Sequence, residues 1–205
     1  ALTLGKRGYL CVSLDAPSHG QDIRKDEKEG GLMGWITRLK KGEDFVAESA
    51  RKTSALLDYL IKNRYTDPKR VALIGISRGG FLGLHFAARD PRVKCVAAFA
   101  PVTDLLALRE FAGMKNHAGT KALDLIHVAK KLAGRPIWAC IGVNDDRVDT
   151  DCAFAFVRKV AKESLAQGKP ANIEIHVMPT IGHATHATAH KEASAWILRT
   201  LKETS

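Results

Sequence analysis

The hydrophobic pattern along the chain switches between two periods. Short apolar or alternating runs, Tyr9–Asp15, Val71–Ile76, Val93–Ala100, Pro136–Ile141 and Ile173–Met178, have the length and β-branched content of strands. Between them, apolar residues fall at helical spacing. Glu43–Arg64 is the clearest helix, with Phe45, Val46, Leu56, Leu57, Leu60 and Ile61 along one side. Phe81–Ala88, Lys121–Leu132, Thr150–Gln167 and Thr185–Lys202 also read as helices, and a short one follows an N-cap at Thr103 or Asp104. Leu2–Arg7 reads as the tail of a helix closed by Gly8. Residues 22–42 are charged and glycine-bearing around the apolar island Leu32–Ile36. They predict an excursion over the sheet edge, either a lid or a surface loop anchored by Trp35. Strands alternating with helices give the α/β class, a mostly parallel sheet with helices on both faces. The expectation is one domain over 1–205.

Composition narrows the function classes. The 205 residues are 45% hydrophobic and 26% charged, enough for one domain with a sizeable core. No apolar run reaches the length that crosses a bilayer, so no membrane partner is expected. Cys11, Cys95 and Cys140 fall in expected strands and Cys152 begins a helix. This predicts buried thiols, not a disulfide framework, and leans toward a reducing, cytoplasmic compartment. The formal net charge is +10, but its basic residues are spread along the chain without aromatic interleaving. That describes solvated helix faces better than a nucleic-acid surface, and leaves acidic substrates or surfaces as the remaining reading.

The chemistry centres on Val71–Gly80. A buried-type strand runs into Gly75-Ile76-Ser77-Arg78-Gly79-Gly80, and a helix follows. Strand, sharp turn and helix is the setting of a nucleophile elbow, and glycines flanking the serine leave room for the strained turn. The helix presents its positive end and open N–H groups to the reacting oxygen. Asp145, in Gly142-Val143-Asn144-Asp145-Asp146-Arg147-Val148, and His183, after Gly182, occupy loops that follow two later strands. In a parallel sheet these loops open at one edge. A serine hydroxyl needs a base such as His183, and the base needs an orienting carboxylate such as Asp145.

These motifs, in the order Ser, Asp, His, resemble the α/β-hydrolases, nearest to the dienelactone-hydrolase and prolyl-oligopeptidase-like branch. The resemblance covers nearly the whole chain and includes Asp15-Ala16-Pro17-Ser18-His19-Gly20 as the loop after the family's fourth strand. It implies a serine hydrolase of the carboxylesterase type, with Ser77, Asp145 and His183 as catalytic residues. It also implies an oxyanion-hole donor in the Arg78 backbone N–H, a small-molecule ester substrate, and no cofactor or metal. His19 and Trp35 are candidate pocket residues. Rival readings attach to several positions. Asp146 serves as the acid if the register shifts by one. His183, His186 and His190 together suggest a metal site. His19 also reads as a hydrogen-bonded turn histidine, and His85 as a packing residue. A peptidase or amidase, or a ligand-binding member without catalysis, are the alternatives, with a nucleic-acid binder third.

The chain departs from the family at its start. The strand that carries the second oxyanion donor, and that lies between the Tyr9 strand and the Val71 strand, has no counterpart here. Losing one such donor typically costs ~3 kcal/mol of transition-state stabilisation. The expectation is a fragment or processed chain, with the gap closed by direct pairing, by a partner, or by a missing N-terminal segment. The oligomeric state is open.

Overall fold

The computed structural model describes residues 2–27 and 29–203. Its centre is a four-stranded parallel sheet in sequence order, β1 (Val71–Ile76), β2 (Val93–Phe99), β3 (Ile137–Asn144) and β4 (Ile173–Ile181). Parallel neighbours require a crossover, and helices supply it. α1 (Leu2–Gly5), α2 (Gly31–Lys40) and α3 (Phe45–Lys62) precede the sheet, and α4 (Arg78–Ala87) joins β1 to β2. α5 (Ala118–Ala122) and α6 (Ala129–Leu132) lie between β2 and β3, α7 (Thr150–Ala166) between β3 and β4, and α8 (Ala189–Glu203) follows β4.

The alternation of side chains along β2 and β3 divides the core in two. Val96, Ala98, Ile137, Ala139 and Ile141 join the cluster formed with α2, α3, α4 and α7. Ala97, Phe99, Trp138 and Cys140 face Leu4 of α1 and Ala193, Trp196 and Ile197 of α8. Both faces of the central strands are therefore buried, which explains the apolar runs Cys95–Phe99 and Ile137–Ile141.

Tyr9–Asp15 departs from expectation. It has no regular secondary structure and joins no ladder among the described residues, and Leu10, Val12 and Leu14 are about half exposed. A strand exists only through its neighbour, and the sheet ends at β1. A cavity of about 460 Å³ lies between Tyr9–Val12 and Val71–Ile74, so direct pairing does not close the gap. Ile74 and Ile76 are correspondingly exposed along β1. Tyr9 is fixed at one end by Arg70, whose Nη2 donates to its hydroxyl at 2.6 Å. Cys11, expected buried, is exposed for the same reason, while Cys95 and Cys140 are buried as expected and none of the four forms a disulfide.

The island at 32–36 becomes α2, and Trp35 has no exposed surface. Its ring stacks on Phe45 at 4.7 Å and packs near Phe81 at 5.8 Å, and its Nε1–H donates to the Pro17 carbonyl at 2.6 Å. Trp35 is thus a core residue and not the pocket-lining one expected. Opening this excursion as a lid would expose it together with Ile36 and Leu39. The segment is further tied by Arg38, which is 1% exposed and donates to Glu27 at 2.5 Å and to Asp22 at 2.6 Å. Asp22 also accepts from Lys52 of α3 at 2.6 Å.

Two helices differ from their expected spans. Lys121–Leu132 is broken, because Leu125 N–H donates to Thr103 O at 3.0 Å and the Asp124 carboxylate caps a new turn at Ile126. The last helix starts at Ala189, since Gly182–Thr188 are drawn into the loop that carries His183. Asp104, not Thr103, caps the short turn after β2.

His85 is buried in α4, donating Nε2–H to Leu123 O at 2.9 Å with its ring edge-on to Phe81. Burial pushes its pKa down to about 4. A base held neutral in this way stabilises the fold fully above its unfolded pKa of about 6.5, and that contribution fades as pH falls toward 4. Asp22 adds a lower step. Burial alone would raise its carboxyl, but hydrogen bonds from Lys52, the Ser18 N–H and Arg38 outweigh that and hold it at about 2. Its stabilisation is complete above the usual carboxylate range and is lost as pH falls from about 4 to about 2. Urea midpoints measured from pH 7.5 to 2.5 should therefore decline in two steps. His85→Gln should remove most of the upper step, and Asp22→Asn part of the lower, which Glu27, Asp90 and Glu110, also held below the usual carboxyl range by hydrogen bonds, share. An unchanged upper step in His85→Gln would contradict this assignment.

Candidate active site

Ser77 ends β1 and begins the turn into α4. Its backbone lies at φ 51°, ψ −113°, a conformation that L-residues adopt only under constraint. Neighbouring strands and the helix supply that constraint. Ser77 N–H donates to Phe99 O at 2.8 Å, and Ser77 O accepts from Phe81 N–H at 3.1 Å and Val102 N–H at 3.2 Å. The crossing of strand and helix is close. A Cβ at Gly75 would sit 2.4 Å from both C and O of Gly79. A Cβ at Gly80 would come 2.9 Å from Cβ of Pro101. At Gly79 it would meet nothing. The crowded pair is thus Gly75 and Gly80, and the expectation that both flanking glycines relieve collisions holds for Gly75 alone.

The acid loop is built from hydrogen bonds to Asp145, whose side chain has no exposed surface. Oδ1 accepts from Arg147 N–H at 3.0 Å and Val148 N–H at 3.2 Å. Oδ2 faces His183 Nδ1 at 2.8 Å. Val148 is wholly buried and anchors the loop, while Asp146 points to solvent. It is Asp145, and not its neighbour, that meets the histidine. The Thr150 hydroxyl completes the loop: it donates to Gly142 O at 2.9 Å and accepts from Asp145 N–H at 3.0 Å. Reading the sequence alone missed Thr150; a hydroxyl five positions after an acid, at the start of a helix, is the signal that marks it. Gly142 is needed because a Cβ there would lie 2.8 Å from Thr180 O and 3.0 Å from Gly182 O.

His183 hangs from the loop after β4, which is tied to β3 through Gly182 N–H and Asn144 O at 2.9 Å. Its side chain remains 29% exposed. A carboxylate only accepts, so Nδ1 carries the proton in this pair and Nε2 is left as a proton acceptor. Ser77, Asp145 and His183 thus follow β1, β3 and β4 at the C-terminal edge of one parallel sheet. The other histidines have separate partners. His186 Nδ1 lies 2.9 Å from the Thr188 hydroxyl, and the His190 ring stacks on Phe99 at 4.7 Å. His19 is half-buried, with Nδ1 at 2.8 Å from Pro17 O and Nε2 at 2.6 Å from Arg78 Nη1. It is a turn histidine that also reaches the residue after Ser77, a contact the sequence did not disclose.

Comparison with known proteins agrees with this architecture. A family model for the prolyl oligopeptidase family matches residues 43–204. The chain is 35% identical over 103 residues to Hydrolase LUC6 of a Fusarium species, covering 48% of this chain and 21% of that protein. It therefore spans about a fifth of that relative. Among solved structures it is similar to a putative dipeptidyl aminopeptidase IV from Bacteroides ovatus. That match has a TM-score of 0.64 at 19% identity and covers 85% of this chain and 24% of that one. A glucuronoyl esterase from Solibacter usitatus is similar with a TM-score of 0.59 at 16% identity, covering 76% of this chain and 49% of that one. Such similarities at low identity speak to the shared α/β-hydrolase fold.

The crossing at the elbow makes a sharp stability prediction. Gly75→Ala forces a methyl into main-chain atoms and should lower unfolding free energy by about 3 kcal/mol or more. Gly79→Ala meets open space in the first turn of α4 and should be neutral or stabilising by up to ~1 kcal/mol. Urea unfolding of the two variants checks this; equal destabilisation would contradict the assignment of the tight contact.

Proposed function

We propose that this chain, which belongs to the prolyl oligopeptidase family, acts as a serine hydrolase on an ester or related acyl bond. Ser77 is the nucleophile, His183 the base and then the acid, and Asp145 the group that orients the histidine. The observation that carries the reading is the pairing of Asp145 Oδ2 with His183 Nδ1 at 2.8 Å, at the same sheet edge as a serine held at φ 51°.

The steps follow from the atoms. Ser77 Oγ attacks the substrate carbonyl carbon while its proton passes to His183 Nε2. The imidazolium formed is stabilised by the buried Asp145 carboxylate, whose other oxygen accepts from the Arg147 and Val148 N–H groups. Negative charge collects on the carbonyl oxygen, where the Arg78 N–H and the N-terminus of α4 oppose it. His183 returns the proton to the leaving group, and an acyl chain remains on Ser77. Water, deprotonated by His183, then attacks the acyl carbon; the bond from that carbon to Ser77 Oγ breaks, and His183 returns the proton to Oγ. The same sequence opens an ester or, with a poorer leaving group, an amide. Similarity to both an esterase and an aminopeptidase fits an acyl-transfer scaffold.

Turnover of a chromogenic ester tests the roles. Ser77→Ala should abolish hydrolysis while leaving the unfolding midpoint unchanged. Asp145→Asn should cut kcat by up to ~10⁴-fold, because the amide favours the wrong tautomer of His183. Asp146→Asn, at an exposed side chain, should stay within about threefold of the parent, as surface substitutions generally do. Retained hydrolysis in Ser77→Ala, or a larger loss from Asp146→Asn than from Asp145→Asn, would overturn the assignment.

A further inference from the structure

The Arg78 side chain plays no part in the proton relay, yet it is half-buried and sits directly after the proposed nucleophile. Five other arginines, Arg24, Arg38, Arg92, Arg109 and Arg147, pair with carboxylates, in Glu43, Glu27, Asp90 and Glu110. Arg78 forms no ion pair among the described residues; its contact is with His19, Nη1 to Nε2 at 2.6 Å. His19 Nδ1 lies 2.8 Å from a carbonyl oxygen, so that nitrogen must carry the proton and Nε2 accepts from the guanidinium. The histidine is therefore a neutral tether. It fixes the fork and leaves its charge uncompensated.

Other features leave this charge open to a ligand. The side chain of Arg78 stands against Gly31, where a Cβ would be 3.5 Å from Nη1 and 4.0 Å from His19 Nε2. Gly31 has φ +55° and begins α2, so the wall at this point is bare backbone. His19 is itself held by its Pro17 bond and by Trp35, whose ring lies edge-on at 6.3 Å. Pro17 O accepts from both His19 and Trp35, which ties the tether into the core. A guanidinium partly withdrawn from water, with donors still unused and a fixed orientation, is matched by a planar anion.

We infer that Arg78, positioned by His19, is a specificity-determining residue that binds a carboxylate carried on the acyl part of the substrate. The preferred substrates are then monoesters of dicarboxylic acids or similar esters with a free carboxylate a few bonds from the scissile carbonyl. This deepens the proposed hydrolase reading and rests on it for the position of the acyl group.

The test compares two esters of nearly equal shape, para-nitrophenyl hydrogen glutarate and para-nitrophenyl methyl glutarate. The parent protein should show a higher kcat/KM for the charged ester. Arg78→Gln should reduce the charged-to-neutral ratio by on the order of tenfold or more, as expected for loss of a charge-assisted hydrogen bond. Arg78→Lys, which keeps charge but not the fork, should fall between. His19→Ala should lower the ratio partway by freeing the guanidinium. An unchanged ratio in Arg78→Gln, or a parent that favours the neutral ester, would overturn the proposal. Binding separates this from failure of the hydrolase reading. Monomethyl glutarate should broaden in NMR titrations with the Ser77→Ala protein and not with the Ser77→Ala/Arg78→Gln protein. Arg78-dependent binding without turnover of either ester would leave the anion site standing and remove the hydrolase. Turnover without Arg78-dependent binding would do the reverse.

Discussion

The structure depends on how closely a strand and a helix can cross. β1 reaches the edge of the sheet and the chain must reverse into α4 within one residue. Only a backbone without a Cβ at Gly75 permits the Gly79 main chain to pass at 2.4 Å from where that atom would be. The cost of the turn is concentrated in Ser77, at φ 51°. Ladder bonds to β2 and the first turn of α4 hold it there. The serine is thereby lifted out of the sheet, with the helix N-terminus behind it. An unconstrained loop would relax this geometry and bury or randomise the hydroxyl.

The two other chemical groups are positioned by a different physics. Asp145 is held by hydrogen bonds to a carboxylate with no exposed surface. Burying that charge is tolerable because two N–H groups and His183 satisfy it. His183, by contrast, is partly exposed and hangs from a loop tied to β3 by one backbone bond. A rigid acid and a partly open base suit the proposed relay, in which the base must reach both serine and leaving group. The Arg78–His19 contact adds a third mode, a tether from the loop before α2 to the start of α4. The buried ion cluster of Arg38, Glu27 and Asp22 keeps that loop in place, so the tether rests on the same segment as the core residue Trp35.

What was legible in the sequence follows from these differences. The elbow and the acid loop were readable because local backbone constraints leave glycines and a buried valine at fixed offsets. The parallel sheet and its helices were readable from periodicity. Tyr9–Asp15 was not, because its pattern is that of a strand and only the missing ladder partner decides otherwise. Which glycine relieves a clash was also hidden. Gly79 fits the motif, but the Cβ direction puts the contact at Gly80 and Pro101. The break at Leu123–Leu125 comes from Thr103, far away in sequence, and no local propensity encodes it. Trp35 was visible as an anchor, but not that it is buried to the last atom. His19 and Arg78 are far apart in the chain, and their contact has no sequence signature.

The central claim is that Ser77 is an activated nucleophile served by His183 and Asp145. It is tested most directly by intact-protein mass spectrometry after treatment with a fluorophosphonate, which reacts with activated serines. The account predicts a single adduct, mapped by peptide analysis to Ser77, formed far more slowly when His183 is replaced by alanine. No adduct at Ser77, or labelling at the same rate without the imidazole, would contradict it.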